Sequence, residues 1–489
     1  MTRPAAPPRT PDAGAPRPDP VAAPQGTDAP GPERAAPPQG SNGSRPASAE
    51  PPQPSGASRP GPAAPTPEPA APGPAAPRGG LLRHRDFRLL WAGQTASSIG
   101  SNVTTVALPL VAVTVLDTGT FGVAVLTAAA WLPWLLFGLP AGAWVDRLPR
   151  RPVMIVCDLV CALLFLSVPV AAVLGVLTVG QLLVVALGAG LARVFFETAD
   201  QVYLPVLLRP EQVPEGNAKI QATHTASYVL GPGIAGVVAQ AVGAVAALLL
   251  DALSFLFSAA CLLRIRTVEK RPGRVERSRS LRREIGEGIR FVARDPYLRV
   301  LAVFGAASNV GLIGYQAVLV VFLVREARLA PAAVGALVAV MSLGGIAGAL
   351  LATRLGRRLG TARAMLLAGA LTGPTALLIP LAGPGGRLAL PAIGGVLVSL
   401  GVAVGNVLKG SFRQTYTPHH LLGRVTVSMQ MLNYGTIPLA AVLSGAIGAA
   451  YGAGTAIAVM TGWLALTPVI LLVGPLRRRR DLPVAPELP

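Results

Sequence analysis

Three ionisable side chains interrupt the run RVFFETADQ: Arg193, Glu197 and Asp200 stand at i, i+4 and i+7, one face of a helix. Two acids against one base leave a surplus carboxylate, which suits binding of a proton or of an organic cation, and exchange of one for the other. A charge at bilayer depth costs ~2.5 to 3.5 kcal/mol on insertion scales, so three together require partners or a wet cavity. The alternative is a solvated ion cluster at a helix end, where interfacial charge is cheap. Asp251, near Ser254, is a further candidate, either lining a path or capping its own helix.

Amides and hydroxyls extend the set. Gln94, Ser98, Ser101 and Thr105 share a face of one apolar run with Asn102 beside it, and Gln221, His224 and Tyr228 share a face of another. Asn309 pairs in the same way with Gln316, and Gln430 stands near Asn433. Single intramembrane amides commonly join helices through hydrogen bonds; as a set they are candidates to line a polar cavity. His224 is a candidate proton carrier, since an unperturbed imidazole titrates near neutrality. Cys157, Cys161 and Cys261 lie inside apolar runs without metal-ligand spacing and read as small buried hydrophobes, so no metal site is expected.

These residues need apolar helices to hold them. The chain of 489 residues is 52% hydrophobic and 13% charged, the composition of a membrane protein. Residues 1–80 are Pro-, Ala- and Gly-rich, with little to bury and no apolar signal-peptide core, and are expected to be a disordered tail. A bilayer core of ~30 Å needs about 20 helical residues. Such runs fall near 88–114, 121–145, 153–175, 180–203, 219–241 and 244–263, then 298–324, 332–353, 362–382, 388–408, 425–449 and 452–474. The expected fold is all-α, with twelve transmembrane helices. Its parts are a bundle at 81–263, a basic linker at 264–297, a second bundle at 298–476 and a tail at 477–489.

The net charge of +19 does not mark a nucleic-acid binder, because the basic residues fall in short clusters between apolar runs. Arg83, Arg85 and Arg88, then Arg147, Arg150 and Arg151, then the stretch 264–299 fall on one side. Arg354, Arg357 and Arg358, then Lys409, Arg413 and Arg424, and finally Arg477 to Arg480 fall there too. The other side keeps Arg325, Arg328 and Arg387. By the positive-inside rule both termini are cytoplasmic, in a plasma-membrane protein. In the linker, Ile285, Ile289 and Val292 share one face, which predicts an amphipathic helix on the inner membrane surface. The halves also repeat. One constant shift carries Asn102 onto Asn309, Gly138 onto Gly345, Gly216 onto Gly423, and Arg147, Arg150 and Arg151 onto Arg354, Arg357 and Arg358. Two pseudo-symmetric six-helix bundles around a central path follow.

The stretch GAWVDRLPRR, with Gly142, Asp146, Arg147, Arg150 and Arg151, resembles the signature between the second and third helices of the major facilitator superfamily. Pro149 stands where that family usually has glycine, and the second copy has Ala349 and Thr353 in place of the glycine and aspartate. The resemblance implies that the first copy is a cytoplasmic gate between the bundles; the plain alternative is charge that holds the loop inside. SYVLGPGIAG, with Ser227, Gly231, Pro232 and Gly236, is similar to the family's antiporter motif, which implies export. Arg193 matches the arginine opening the family's helix-four motif, though Phe196 and Glu197 replace the Gln-Gly that follows. DFRLLWAGQTASSIG, EGIRFVARDPYLR and LDALSFLFSAA look most like the branch of macrolide-efflux and enterobactin-export proteins. The resemblance implies a proton-driven exporter of bulky amphipathic small molecules, a monomer among membrane lipids, with no cofactor and no enzyme chemistry. GxxxxGK[ST] and GxSxG motifs are absent from the sequence. The alternatives are a non-transporting sensor or scaffold of the same fold, and an importer.

Overall fold

A chain within hydrocarbon must satisfy its own backbone hydrogen bonds, which leaves helices or closed barrels. The computed structural model describes residues 81–483, apart from Asp146, Val268, residues 270–280 and Pro384, and among them there are helices and no strand. The expected tail at 1–80 and the last residues, 484–489, lie outside the described residues. The first half holds α1 (Arg85–Thr114), α2 (Thr120–Val145), α3 (Arg150–Val173), α4 (Val179–Leu207), α5 (Val213–Ala241) and α6 (Ala244–Arg264). After α7 (Leu281–Arg294) come α8 (Pro296–Val321), α9 (Pro331–Leu359), α10 (Thr361–Ala376), α11 (Ala389–Tyr416), α12 (His419–Tyr451) and α13 (Ala453–Leu466), which the short α14 (Pro468–Val473) continues. Among the described residues, eleven spans are long and apolar enough to cross a membrane. The twelfth is α5, whose first turns, VPEGNAKIQATHT, are polar.

The expected spans agree at their apolar edges and fall short at their polar ones. Helix α4 continues to Leu207, α5 begins at Val213, α9 reaches Leu359 and α11 reaches Tyr416. Hydropathy drops where the chain leaves hydrocarbon, but the backbone still gains from continuing its i→i−4 ladder. Arg354, Arg357, Arg358, Lys409 and Arg413, expected in loops, are therefore helical residues. The internal repeat is visible in the backbone. Gly243 joins α5 to α6 at φ 102° and Gly452 joins α12 to α13 at φ 91°, corresponding hairpins in the two halves and a conformation that favours glycine.

In the first bundle α1 packs on α5 and α6, α2 on α4, and α3 on α4 and α6; in the second, α8 packs on α12 and α13, and α11 on α9 and α10. The bundles meet through α2 against α12 and α5 against α9. One apolar core, running from Val103–Val113 to Val318–Leu323 and Ile457–Leu464, is shared by both halves at the end away from the termini, here the far end. At the terminal end there are two separate cores. One gathers Leu81, Phe87, Met154 and Tyr203; the other gathers Tyr297, Met365, Phe412 and Leu482. Among the described residues the two halves thus share a core at the far end and are parted into separate cores at the terminal end.

Two segments outside the spans make defined contacts. Helix α7 docks on α12: Gly288 lies against the Arg424 carbonyl, Glu287 pairs with Arg424 at 2.6 Å, and Phe291 and Val292 pack on the second terminal core. Of the expected apolar face Ile289 stays exposed, and the Ile285 side chain lies outside the description. The docked face includes Phe291, half-buried, which the three-residue face omits. The segment after residue 477 is also held in place as far as it is described. Arg480 O accepts from the N–H groups of Ala362 and Arg363, Asp481 Oδ1 accepts from Thr361 N at 2.9 Å, and Leu482 is buried, so the chain end caps α10.

Candidate functional site

The surfaces that face each other across the terminal-end cleft are polar and aromatic. Arg193 Nε bonds Glu197 Oε1 at 2.6 Å on α4, with side chains 51% and 38% exposed, so the pair is open rather than sealed. The charges of both lie within electrostatic reach of Tyr434 on α12, in the opposite bundle. Tyr434 in turn lies between Trp131 and Trp134 of α2, with ring centroids at 5.8 and 5.3 Å. Trp144 instead stacks on Phe195 within the first bundle. From α5, Tyr228 is exposed on the same cleft side, and His224 Nδ1 is 3.0 Å from Ser98 Oγ of α1.

The third member of the α4 set turns inward. Asp200 Oδ1 accepts a hydrogen bond from Gln94 Nε2 of α1, so the set splits into an open ion pair and an acid–amide contact between helices. Asp251 is fully buried between α6 and α1, accepting from Thr104 Oγ1 at 2.5 Å and Ser254 Oγ at 3.2 Å. A third acid escapes a reading keyed to spaced sets. Asp158 on α3 is 1% exposed, lies beside Ser258 of α6, and is within reach of the charges of Asp200 and Asp251. Its Oδ2 is buried without a hydrogen-bond partner, as is Gln94 Oε1. The signal was present, a single acid inside MIVCDLVCALL. A buried, incompletely satisfied carboxylate costs stability, so this seam through α1, α3, α4 and α6 holds polarity that packing does not require.

The other amides divide among a bond within one helix, a bond between helices and exposure. Asn102 Nδ2 donates to Ser98 O, and Asn309 Nδ2 donates to Asn433 O at 3.3 Å, linking α8 to α12. Ser101 is half-buried, and Gln316 and Gln430 are exposed. The antiporter-like motif lies at the contact between α5 and α9. Ser227 is buried and donates to Thr223 O; Gly231 lies against the Asn102 backbone; a Cβ on Gly236 would meet Pro331 O at 2.7 Å and Gly335 Cα at 2.8 Å on α9. Pro232 O also faces Gly335.

Of the gate residues, Asp146 lies outside the described residues. Gly142 is half-buried and Arg147 exposed. Arg150 binds Glu269 at 3.0 Å, and Arg151 donates to the carbonyls of Leu262 and Leu263 at the end of α6, at 2.9 and 2.8 Å. Arg150 is thus held by the start of the linker and Arg151 by the end of α6, where its guanidinium satisfies open carbonyls of the helix C-terminus. Glu269 and Asp86, whose Oδ2 accepts from Thr267 N at 2.9 Å, tie the start of the linker to the first bundle. Neither was legible, because each partner is more than a hundred residues away in sequence.

Two six-helix bundles that share one core at one end and part at the other, with polar side chains in the cleft, define a membrane transporter of the major facilitator superfamily. Residues 75–487 match the transmembrane secretion effector family of that superfamily, and the chain belongs to it. Among its relatives, the multidrug efflux pump Tap of Mycolicibacterium fortuitum is 30% identical over 412 residues, covering 81% of this chain and 97% of that one. Macrolide efflux protein A of Streptococcus pyogenes is 28% identical over 152 residues, 30% of this chain and 36% of that one. The fold is also that of a bacterial homologue of the iron transporter ferroportin in its inward-facing state, with TM-score 0.65, 17% identity, and 82% and 100% of the two chains covered. The nucleoside transporter NupG superposes with TM-score 0.66 at 12% identity, over 81% and 99% of the chains.

Proposed function

We propose that this chain exports bulky amphipathic small molecules from the cell by proton antiport, the two bundles rocking about a midplane site. The basic clusters make the terminal end cytoplasmic, so the parted terminal end is an inward-facing state. The observation that carries the reading is the open Arg193–Glu197 pair of one bundle near Tyr434 of the other, a ring that itself packs on Trp131 and Trp134 of α2. A cationic substrate entering from the cytoplasm competes with Arg193 for Glu197, and its apolar body lies on the aromatic rings. Opening toward the other side exposes the same carboxylate to protons. Protonation removes the charge that held the cation, so proton and substrate exclude each other, which is the logic of antiport. Asp200, hydrogen-bonded to Gln94, is the second acceptor on that helix face.

The test is efflux of a panel of fluorescent cations and macrolides from expressing cells, with and without a protonophore. The double variant Glu197→Gln, Asp200→Asn is run beside wild type at equal expression. Protonophore-sensitive export is expected in wild type and lost in the variant. Export that ignores the protonophore, or that survives in the variant, sinks the coupling assignment.

A further inference from the structure

The second bundle contains a cavity of about 280 Å³ between α8, α10, α11, α12 and α13, with Tyr434 and Asn433 at its α12 wall. Its one lining residue with a formal charge is Lys409, and among the described residues no carboxylate pairs with it. The ammonium sits 5.7 Å from the centroid of the Phe304 ring. Arg413, one helical turn further along α11, is half-buried and within reach of the Lys409 charge, and its Nε is buried without a hydrogen-bond partner. Two neighbouring cations at i and i+4 repel each other, and burying them without a counter-ion is costly. The remaining polar lining, Asn309, Asn406 and Asn433 among it, supplies amide donors. Such a pocket lacks an anion.

We propose that the Lys409 cavity is the subsite for an anionic group, a carboxylate in class, of the transported molecule. This rests on the transport reading above and adds to it a constraint on the substrate. The cavity is at the lower limit of ligand-sized pockets, so it takes one anionic arm, while the body passes Tyr434 toward the tryptophans and Glu197. The molecules that fill both poles are zwitterionic amphiphiles. Hydropathy alone puts Lys409 in a loop; its place inside α11, two turns before the helix ends, is what turns it into a cavity wall.

A matched dye pair tests this by binding alone, without transport: rhodamine 110, which carries a free carboxylate, and its methyl ester rhodamine 123. Fluorescence anisotropy is measured with the purified full-length protein, for wild type, Lys409→Gln and Lys409→Arg. Wild type is expected to prefer the acid by about tenfold or more, equivalent to ~1.4 kcal/mol. Lys409→Gln should erase that preference while ester binding stays within about twofold, which also shows that the variant is folded. Lys409→Arg should keep most of the preference. Equal affinity for acid and ester in wild type, or a preference that survives Lys409→Gln, overturns the subsite and leaves the transport reading standing. Lys409-dependent binding of dihexanoyl phosphatidylglycerol without any preference for the acid dye assigns the cation to a lipid headgroup and also overturns it. Absence of cellular efflux beside an intact Lys409-dependent preference would instead sink the transport reading and keep the subsite.

Discussion

Asp251 has Thr104 and Ser254 bonded to its carboxylate and Gly100 pressed over it, so its surroundings are set for an acceptor in that place. Truncation to alanine leaves two hydroxyls in a dry seam without that acceptor and opens a small void. We expect Asp251→Ala to lower unfolding stability by about 1 to 3 kcal/mol, and Asp251→Asn, which keeps an acceptor oxygen, to cost less. Thermal unfolding of the purified protein in one detergent reads both, and equal loss in the two variants would contradict the argument. Asp251, Glu197 and Asp200 were visible in the sequence because acids stand out in apolar runs. What each one faces was not visible. Periodicity gives the face of a helix but not the rotation of that face against a neighbour, so Glu197 and Asp200, read as one set, turn to different partners.

At the scale of helices, the α5–α9 crossing depends on Gly236 and Gly335 touching backbone to backbone. A side chain at either position has no flexible neighbour to displace, only Pro331 O, Pro232 O and Cα atoms. Overpacking of this kind costs about 1 to 3 kcal/mol, and here it is incurred only while the far end is closed. Gly236→Val is therefore expected to shift the conformational balance roughly tenfold or more toward a parted far end. Spin labels at Val115 and Ala330, both exposed near the far end, should show the longer distance gaining population; an unchanged distribution would refute this. The buried Cys157, Cys161 and Cys261 leave little labelling background. A second contact at this scale is Asp295, which caps α8 through Tyr297 N and Leu298 N and accepts from Tyr416 Oη at 2.6 Å. Asp295→Ala should cost about 1 to 2 kcal/mol in thermal stability, and a smaller loss than in an exposed-cap control would argue against the added Tyr416 bond. The twelve helices were legible because hydropathy reports hydrocarbon. Their polar extensions and the docking of α7 were not, since these follow from backbone continuity and from partners such as Arg424 that lie far along the chain.

For the whole molecule, the distribution of cores sets what alternation must do. Under the proposed rocking, parting the far end would break the shared apolar core, and closing the terminal end would have to bring the two separate cores' surfaces together to compensate. One ion pair also bridges the halves at the far end, Arg325 to Asp117 at 2.5 Å, and it invites the reading of a lock. Exposure argues otherwise: the Asp117 side chain is 95% accessible, and pairs held in water contribute little after desolvation, side-chain entropy and salt screening. Arg325→Ala should therefore change the ratio of the two states by less than about fivefold, measured with the same Val115 and Ala330 labels, and high salt should do no more. Gly236→Val on an Arg325→Ala background should match Gly236→Val alone to within that factor, because the apolar crossing and the surface pair then contribute independently. A large shift from Arg325→Ala alone would mean that the far end is held by charge, and the weight given to the shared core would have to move to that pair.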